Sequence, residues 1–115
     1  MTKTKNDIVE GDVTHLIERL EVFEERMGVR LDALFAKLEE GYLTVNFELH
    51  SRDGNQIKED TKVVIAVYDS AGRLVARGIN QSYAAVFFGF EAFSETIRVP
   101  GQIAKIRVMP KHPQG

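Results

Sequence analysis

The segment KVVIAVYDSAGRLVARGI, residues 62–79, decides the fold class of this chain. Its first half is mostly apolar and β-branched, which favours a buried β-strand. The DSAG tetrapeptide, residues 69–72, suits a four-residue hairpin loop in which Gly72 adopts the left-handed conformation. From Arg73 to Ile79 the chain alternates in polarity and returns antiparallel to the first strand. The segment therefore predicts a β-hairpin.

Strand patterns continue on both sides of this hairpin. Apolar residues alternate with polar ones from Leu43 to His50, and further strands are predicted at 83–90, 93–99 and 102–109. Glycine and proline separate these segments, as they do between the short strands of all-β domains. Residues 42–110 therefore predict an antiparallel β-sandwich of six to seven strands, immunoglobulin-like or C2-like in shape. A polar C-terminal tail follows over 111–115.

The residues before position 42 have a different character, because Glu, Leu, Arg and Ala dominate there. Apolar residues recur every three or four positions, which predicts one long amphipathic helix over 12–41. Asp12 is in place to act as the N-cap, and Gly41 stands where a glycine commonly ends a helix. With a polar tail over 1–11, the predicted fold class is α+β: a long N-terminal helix followed by the β-sandwich.

Gly28 interrupts this helical pattern, since glycine inside a helix is destabilising by about 1 kcal/mol relative to alanine. The alternative is a pair of shorter helices over 12–27 and 29–40, folded as a hairpin. The apolar positions stay nearly in phase across Gly28, so one continuous helix is the preferred prediction.

The apolar stripe of this helix is longer than one small sheet would cover, which suggests self-association. The predicted oligomer interface consists of the stripe residues Leu16, Leu20, Phe23, Met27, Leu31, Leu34 and Leu38. The alternative is that the stripe packs on the chain's own sandwich, which would make the protein a monomer.

Composition limits the classes of function. The chain has 115 residues, no cysteine and a net charge of −2, so disulfides, thiolate metal sites and a cysteine nucleophile are excluded. The N-terminus is polar, and no apolar run approaches the ~18 residues of a membrane-spanning helix. We therefore expect a cytoplasmic protein that does not associate with membranes.

Motifs for catalysis are missing from the sequence. The three histidines, His15, His50 and His112, are far apart, and no nucleophile elbow or phosphate-binding glycine loop occurs. Acidic residues in predicted turns, such as Asp53 and Asp69, would suit a calcium site, yet turn geometry explains their placement. We expect no enzymatic activity, no cofactor and no bound metal.

Two sets of residues are candidates for binding. Arg73 and Arg77 share one predicted strand face, as do Lys105 and Arg107, so these four could bind an anion. Nucleic acid is not the favoured partner, because the whole chain is acidic. The other candidate is an aromatic patch for a protein partner, formed by Phe87, Phe88 and Phe90. Phe87 and Phe88 are adjacent and would point to opposite faces of a strand.

These observations favour a non-enzymatic protein-interaction or scaffold module that forms a homo-oligomer through its N-terminal helix. The alternative is a monomeric sandwich that packs the helix on its sheet and binds an anion or nucleic acid. The sequence does not specify the number of subunits, the orientation of the helices or the identity of a partner.

Overall fold

The strands of this chain form two four-stranded sheets that enclose one apolar core. The computed structural model describes residues 10–114. The strands are β1 (Gly11–Asp12), β2 (Ile17–Arg19), β3 (Val29–Glu39), β4 (Tyr42–Ser51), β5 (Thr61–Tyr68), β6 (Leu74–Ser82), β7 (Phe90–Arg98) and β8 (Lys105–Lys111). One α-helix, α1 (Glu21–Met27), and two 3₁₀ turns, Thr14–Leu16 and Ala84–Val86, complete the elements of this part of the chain.

The first sheet has the strand order β1-β3-β4-β7, and the second has the order β2-β8-β5-β6. Neighbouring strands run antiparallel except β2, which lies parallel to β8. The hairpin predicted from residues 62–79 is present, because β5 pairs with β6 from Thr61↔Ser82 to Tyr68↔Leu74. The β-sandwich is therefore confirmed as a β-rich fold of two sheets.

Side chains from alternate positions of both sheets fill the core. In β4 every second residue is buried, since Leu43, Val45, Phe47 and Leu49 are all at most 1% exposed. Phe47 stacks on Phe93 of β7 with ring centroids 5.1 Å apart. The second sheet contributes the fully buried side chains of β5 and β8, which are Val63, Ile65, Val67, Ile106 and Val108.

The long N-terminal helix is a wrong prediction, as is the hairpin of two helices. The only α-helix among residues 10–114 is α1, which has seven residues. Gly28 ends this helix in the left-handed conformation, with φ +71° and ψ +29°, which glycine adopts without steric penalty. Gly28 is therefore a helix terminus, and the chain continues directly into β3.

A β-bulge explains why β3 resembles a helix in sequence. Val29 and Leu31 are buried before the bulge and Ala36 and Leu38 after it, so the buried positions change from odd to even numbers. The register with β4 shifts between Asp32 and Phe35, and Ala33 has a φ of +53°. Leu34 lies in this bulge, so Leu31, Leu34 and Leu38 follow one another at the spacings of three and four that are typical of a helix.

The two predicted helix caps, Asp12 and Gly41, have other roles. Asp12 accepts a hydrogen bond of 2.9 Å from the backbone N–H of Thr14, and the following residue, Val13, bonds to the carbonyl of Ala36 in β3. Glu40 and Gly41 connect β3 to β4, and both have positive φ, at +50° and +82°. A two-residue loop with two positive φ angles is the type I′ turn of β-hairpins.

The predicted strand at 83–90 is also wrong. Residues 84–86 form a 3₁₀ turn, and β7 begins only at Phe90. Positions 1–9 of the predicted N-terminal tail and position 115 of the C-terminal tail lie outside the described residues.

Candidate functional site

Five basic side chains lie on the outer face of the second sheet. This set, which we call the basic face, consists of Lys62, Arg77, Lys105, Arg107 and Lys111. Strand register brings them together: Arg77 and Arg107 flank Ala66 from either side, and Lys62 lies directly opposite Lys111. Neighbouring strands are about 4.8 Å apart, so Arg77 and Arg107 are separated by roughly 10 Å at the backbone.

One carboxylate among the described residues neutralises part of this face. Glu18 of β2 accepts a hydrogen bond of 2.5 Å from Arg107 and lies 3.9 Å from the ammonium of Lys105. The hydrogen bond from Arg107 is the main reason that the pKa of Glu18 lies below its ordinary value, and the same bond raises the pKa of Arg107. Both groups therefore stay charged across the physiological range.

The other three cations of the basic face have no ion pair within residues 10–114. Lys62 and Lys111 occupy directly opposed positions on β5 and β8, and Arg77 lies on the edge strand β6. Like charges placed directly opposite each other across a sheet are destabilising. The basic face therefore combines uncompensated charge with mutual repulsion, which an anionic ligand would relieve.

The centre of the basic face is apolar. Val64 pairs with Ile79 on one side and with Met109 on the other, between the lysine pair and the two arginines. Ile79 is 43% exposed, whereas its cross-strand partner Val64 is buried. Tyr68 is the one aromatic residue on this face within the described part of the chain, and the guanidinium of Arg107 lies 5.2 Å from its ring centroid.

The structure separates one of the four predicted anion-binding residues from the others. Arg77, Lys105 and Arg107 belong to the basic face, but Arg73 lies in the β5–β6 turn. There its guanidinium is 3.0 Å from the carboxylate of Asp69. Sequence reasoning missed Lys62 and Lys111, because each lies at a strand end and only the register shows that they face each other.

The outer face of the first sheet has a more balanced charge. Arg30 pairs with Asp32 at 2.8 Å, and Lys37 pairs with Glu39 at 3.1 Å. The imidazole of His50 is 2.9 Å from the carboxylate of Glu48. Because these cations have acidic neighbours, the first sheet attracts an anion less than the second.

His50 contacts two carboxylates and an aromatic ring. Its Nε2 lies 2.9 Å from Glu48 and 3.7 Å from Asp32, and its ring stacks on Phe90 with centroids 5.1 Å apart. Glu48 precedes His50 by two positions, and residues two apart share a strand face. That spacing was the available signal. Among residues 10–114, no group of three or more His, Asp or Glu residues is placed to hold a metal ion.

The acidic turn residues do not gather in one place. Asp53 lies 4.0 Å from Lys58, and Glu59 lies 3.4 Å from His112, all at the end of the sandwich where β8 finishes. Asp69 is in the turn at the opposite end. The calcium arrangement considered from sequence is therefore not formed by these residues.

Residues 83–90, which run from the loop after β6 to the first residue of β7, expose four large apolar side chains. In this segment, which we call the aromatic loop, the exposed side chains are Tyr83, Val86, Phe88 and Phe90, at 51%, 77%, 74% and 51%. Phe87, by contrast, is 2% exposed and anchors the loop in the core. Of the predicted aromatic patch, Phe88 and Phe90 are thus on the surface and Phe87 is not.

Two hydrogen bonds from the aromatic loop fix its position on the sandwich. The N–H of Gly89 donates to the carbonyl of Asn55 at 2.7 Å, and the N–H of Ala84 donates to the carboxylate of Asp60 at 2.9 Å. Both acceptors lie in the segment that connects β4 to β5. The exposed rings are therefore held in place by a folded loop, which lowers the entropy lost on binding.

A small groove lies between α1 and the end of β8. Phe23 and Met27 of the helix and Pro110 of the strand form its apolar walls, and Arg26, Lys111 and His112 complete its lining. Its volume is about 190 Å³. Arg26 also lies over the ring of Phe23, with 5.9 Å between the guanidinium carbon and the ring centroid.

The residues of the predicted oligomer interface do not share one face. Leu31 and Leu38 are fully buried in the sandwich core, and Leu34 lies in the bulge of β3. Phe23 and Met27 lie on α1, whereas Leu16 and Leu20 precede it. Because residues 10–114 contain no long helix, these residues do not form the continuous apolar stripe on which the predicted self-association depended.

Comparisons with protein-family models, with curated proteins and with solved structures gave no match. No helix among residues 10–114 is long and apolar enough to cross a membrane. The proposals below therefore rest on the geometry of this chain alone.

Proposed function

We propose that this chain is a non-enzymatic binding module that holds an acidic segment of a partner protein against the basic face. The observation that carries the proposal is the direct opposition of Lys62 and Lys111, neither of which has an ion pair within residues 10–114. Carboxylates from a partner would replace their mutual repulsion by attraction.

The asymmetry of charge supports this proposal. The chain carries a net charge of −2, yet the basic face has five cations and a single described carboxylate, Glu18. A basic surface on an acidic protein attracts an anionic partner to one side of the molecule, and this increases the rate of productive encounters.

The apolar centre favours a protein partner over a nucleic acid. Ile79 and Met109 offer surface for an apolar side chain, and the cations surround them. Nucleic-acid-binding sheets commonly present several aromatic rings on which bases stack. Here the face has Tyr68, whose ring already lies near Arg107. An acidic peptide with an apolar residue in its middle matches this surface better.

The proposal can be tested with a fluorescein-labelled oligoglutamate that contains one central leucine. Fluorescence anisotropy at low salt should show binding, and added salt should weaken it because the contacts are ionic. The double variant Lys62→Glu/Lys111→Glu should bind about tenfold more weakly, since surface ion pairs contribute about 0.2–1 kcal/mol each.

The matched control places the same charge change on the first sheet. Lys37→Glu/Arg98→Glu removes two cations and adds two anions on the opposite outer face, so it should leave the affinity within about twofold of the wild type. An equal loss in both double variants would reveal a general effect of net charge and contradict the assignment to the basic face.

The choice of partner class is tested with single-stranded DNA of the same length and charge. Stronger binding of DNA than of oligoglutamate at matched salt would overturn the acidic-protein proposal in favour of nucleic acid. Failure of both probes to bind at low salt would remove the basic face as a binding surface.

A further inference from the structure

We propose that two copies of this chain associate reciprocally, with the aromatic loop of each copy inserted in the groove between α1 and β8 of the other. The aromatic loop exposes large apolar side chains to solvent. The groove has apolar walls that are open to solvent. The groove shares Lys111 with the basic face, but its apolar walls lie on α1 and Pro110, so the proposal does not rest on the function proposed above.

Both parts lie at the same end of the sandwich. The aromatic loop follows Ser82, which pairs with Thr61 at the start of β5, and the groove is formed where β8 ends beside Lys62. A twofold axis at this end would place each loop opposite the groove of the other copy. Such an interface closes as a dimer and leaves no contact open for a chain of further copies.

The size of the groove suits one aromatic side chain. A cavity of about 150 Å³ lined by apolar side chains accommodates a benzene molecule, and this groove measures about 190 Å³. Phe88 is 74% exposed at the tip of a loop that its neighbour Phe87 anchors in the core. The phenyl ring of Phe88 is therefore the fitting occupant.

Charge is complementary across the same contact. Arg26 and Lys111 line the groove and have no ion pair within residues 10–114. Asp60, whose carboxylate accepts the N–H of Ala84, would arrive with the loop and is likewise without an ion pair there. Entry of the loop would thus bring an anion toward two cations.

The buried area favours this arrangement over a contact between two loops. Three aromatic rings and a valine, each half to three-quarters exposed, offer about 400 Å² of apolar surface per copy. Two loops packed together would bury about 800 Å², which is below the ~1,200 Å² of specific interfaces. Insertion in the groove also covers the groove walls, so it buries more surface than a loop-to-loop contact and falls in the range of weak, concentration-dependent association.

The first test is the solution mass by light scattering over a hundredfold range of concentration. The wild type should change from the 13.0 kDa monomer toward a dimer as its concentration rises. Phe88→Ser should stay monomeric, and the control Leu74→Ser should behave as the wild type, because Leu74 is 54% exposed at the opposite end. A wild type that is monomeric throughout, or a Phe88→Ser variant that still dimerises, would overturn the proposal.

The second test distinguishes loop-in-groove from loop-to-loop contact. The chain has no cysteine, so introduced thiols are the only ones present. Val86→Cys and Arg26→Cys variants, mixed under mild oxidation, should form a mixed disulfide dimer several times faster than either forms one with the distant Ser70→Cys. Preferential linkage of Val86→Cys to itself would show a loop-to-loop dimer and contradict the proposed geometry. Because this readout is independent of oligoglutamate binding, failure of either proposal leaves the other testable.

Discussion

The carboxylate of Glu24 is completely buried and receives two hydrogen bonds of 2.8 Å from the guanidinium of Arg19. The same carboxylate accepts the N–H of Leu31 at 3.1 Å, while Arg19 donates to the Leu31 carbonyl at 2.6 Å. This pair therefore ties α1 and β2 to the start of β3. It also positions the helix that forms one wall of the groove.

Removal of this carboxylate should destabilise the fold strongly. Glu24→Ala leaves the N–H of Leu31 without its partner and Arg19 without its counterion, and loss of one member of a buried ion pair costs about 3–5 kcal/mol. Because Arg19 is 35% exposed, we expect the loss to lie at the lower end of this range. The free energy of unfolding, measured by urea denaturation, should fall by about 3 kcal/mol. Glu25→Ala, on the exposed side of the same helix, should change stability by less than about 0.5 kcal/mol. Equal effects of the two substitutions would contradict the role given to Glu24.

Gly78 should not accept a side chain without cost. A Cβ atom at this position would lie 2.9 Å from Cδ1 of Ile97 and 3.1 Å from Cγ of Glu95, because β6 and β7 approach each other closely there. Gly78→Ala should therefore lower the free energy of unfolding by about 1–3 kcal/mol, as overpacked substitutions do. Adding Ile97→Val removes the Cδ1 atom and should recover part of that loss relative to Ile97→Val alone. Simple additivity of the two changes would show that this contact is not the cause.

The acid stability of the β5–β6 turn should depend on Asp69. Its pKa is lowered chiefly by the backbone N–H of Arg73, which donates to the carboxylate, and further by the charge of Arg73. A carboxyl whose pKa is lower in the folded state stabilises the fold above its unfolded value of 3.8. That contribution is lost as the pH falls through the lower folded value.

Asp69→Asn should therefore flatten the stability profile below pH ~4, because asparagine keeps the side-chain oxygen without the titration. Denaturant melts at a series of pH values would measure this change. Glu18 also has a lowered pKa, owing to Arg107. Glu18→Gln should therefore remove a different part of the acid dependence, and it serves as a comparison. An unchanged profile in Asp69→Asn would show that the turn does not depend on this charge.

Stability and binding should respond in opposite directions at Lys62. Lys62→Glu converts a like-charge pair with Lys111 into an attractive cross-strand pair, which we expect to stabilise the fold by about 0.5 kcal/mol. The same substitution should weaken the binding of oligoglutamate. Lys62→Gln, which only removes the repulsion, should fall between the two in both measurements. If Lys62→Glu destabilised the chain, the opposed lysines would not be a source of strain.

The sequence alone predicted the parts of this fold that depend on local patterns. The hairpin of β5 and β6, with its turn at Asp69, follows from β-branched residues around a tight loop, and β4 follows from strict alternation. The helix prediction was wrong over 29–39 because the bulge at Ala33 gave β3 the apolar spacing of a helix, and over 12–28 only the seven residues of α1 are α-helical. A bulge is recognised only when the partner strand is known, and here that partner is β4.

The candidate surfaces show the same division between local and tertiary information. Local sequence determined the strongly β-forming segments, the concentration of aromatic residues around Phe88 and the basic character of β8. The tertiary structure alone decided that Phe87 is buried while Phe88 is exposed, and that Lys62 faces Lys111. The physical reason is that strand register and sheet packing arise from contacts between residues far apart in the chain, and a periodic pattern in one segment does not contain them.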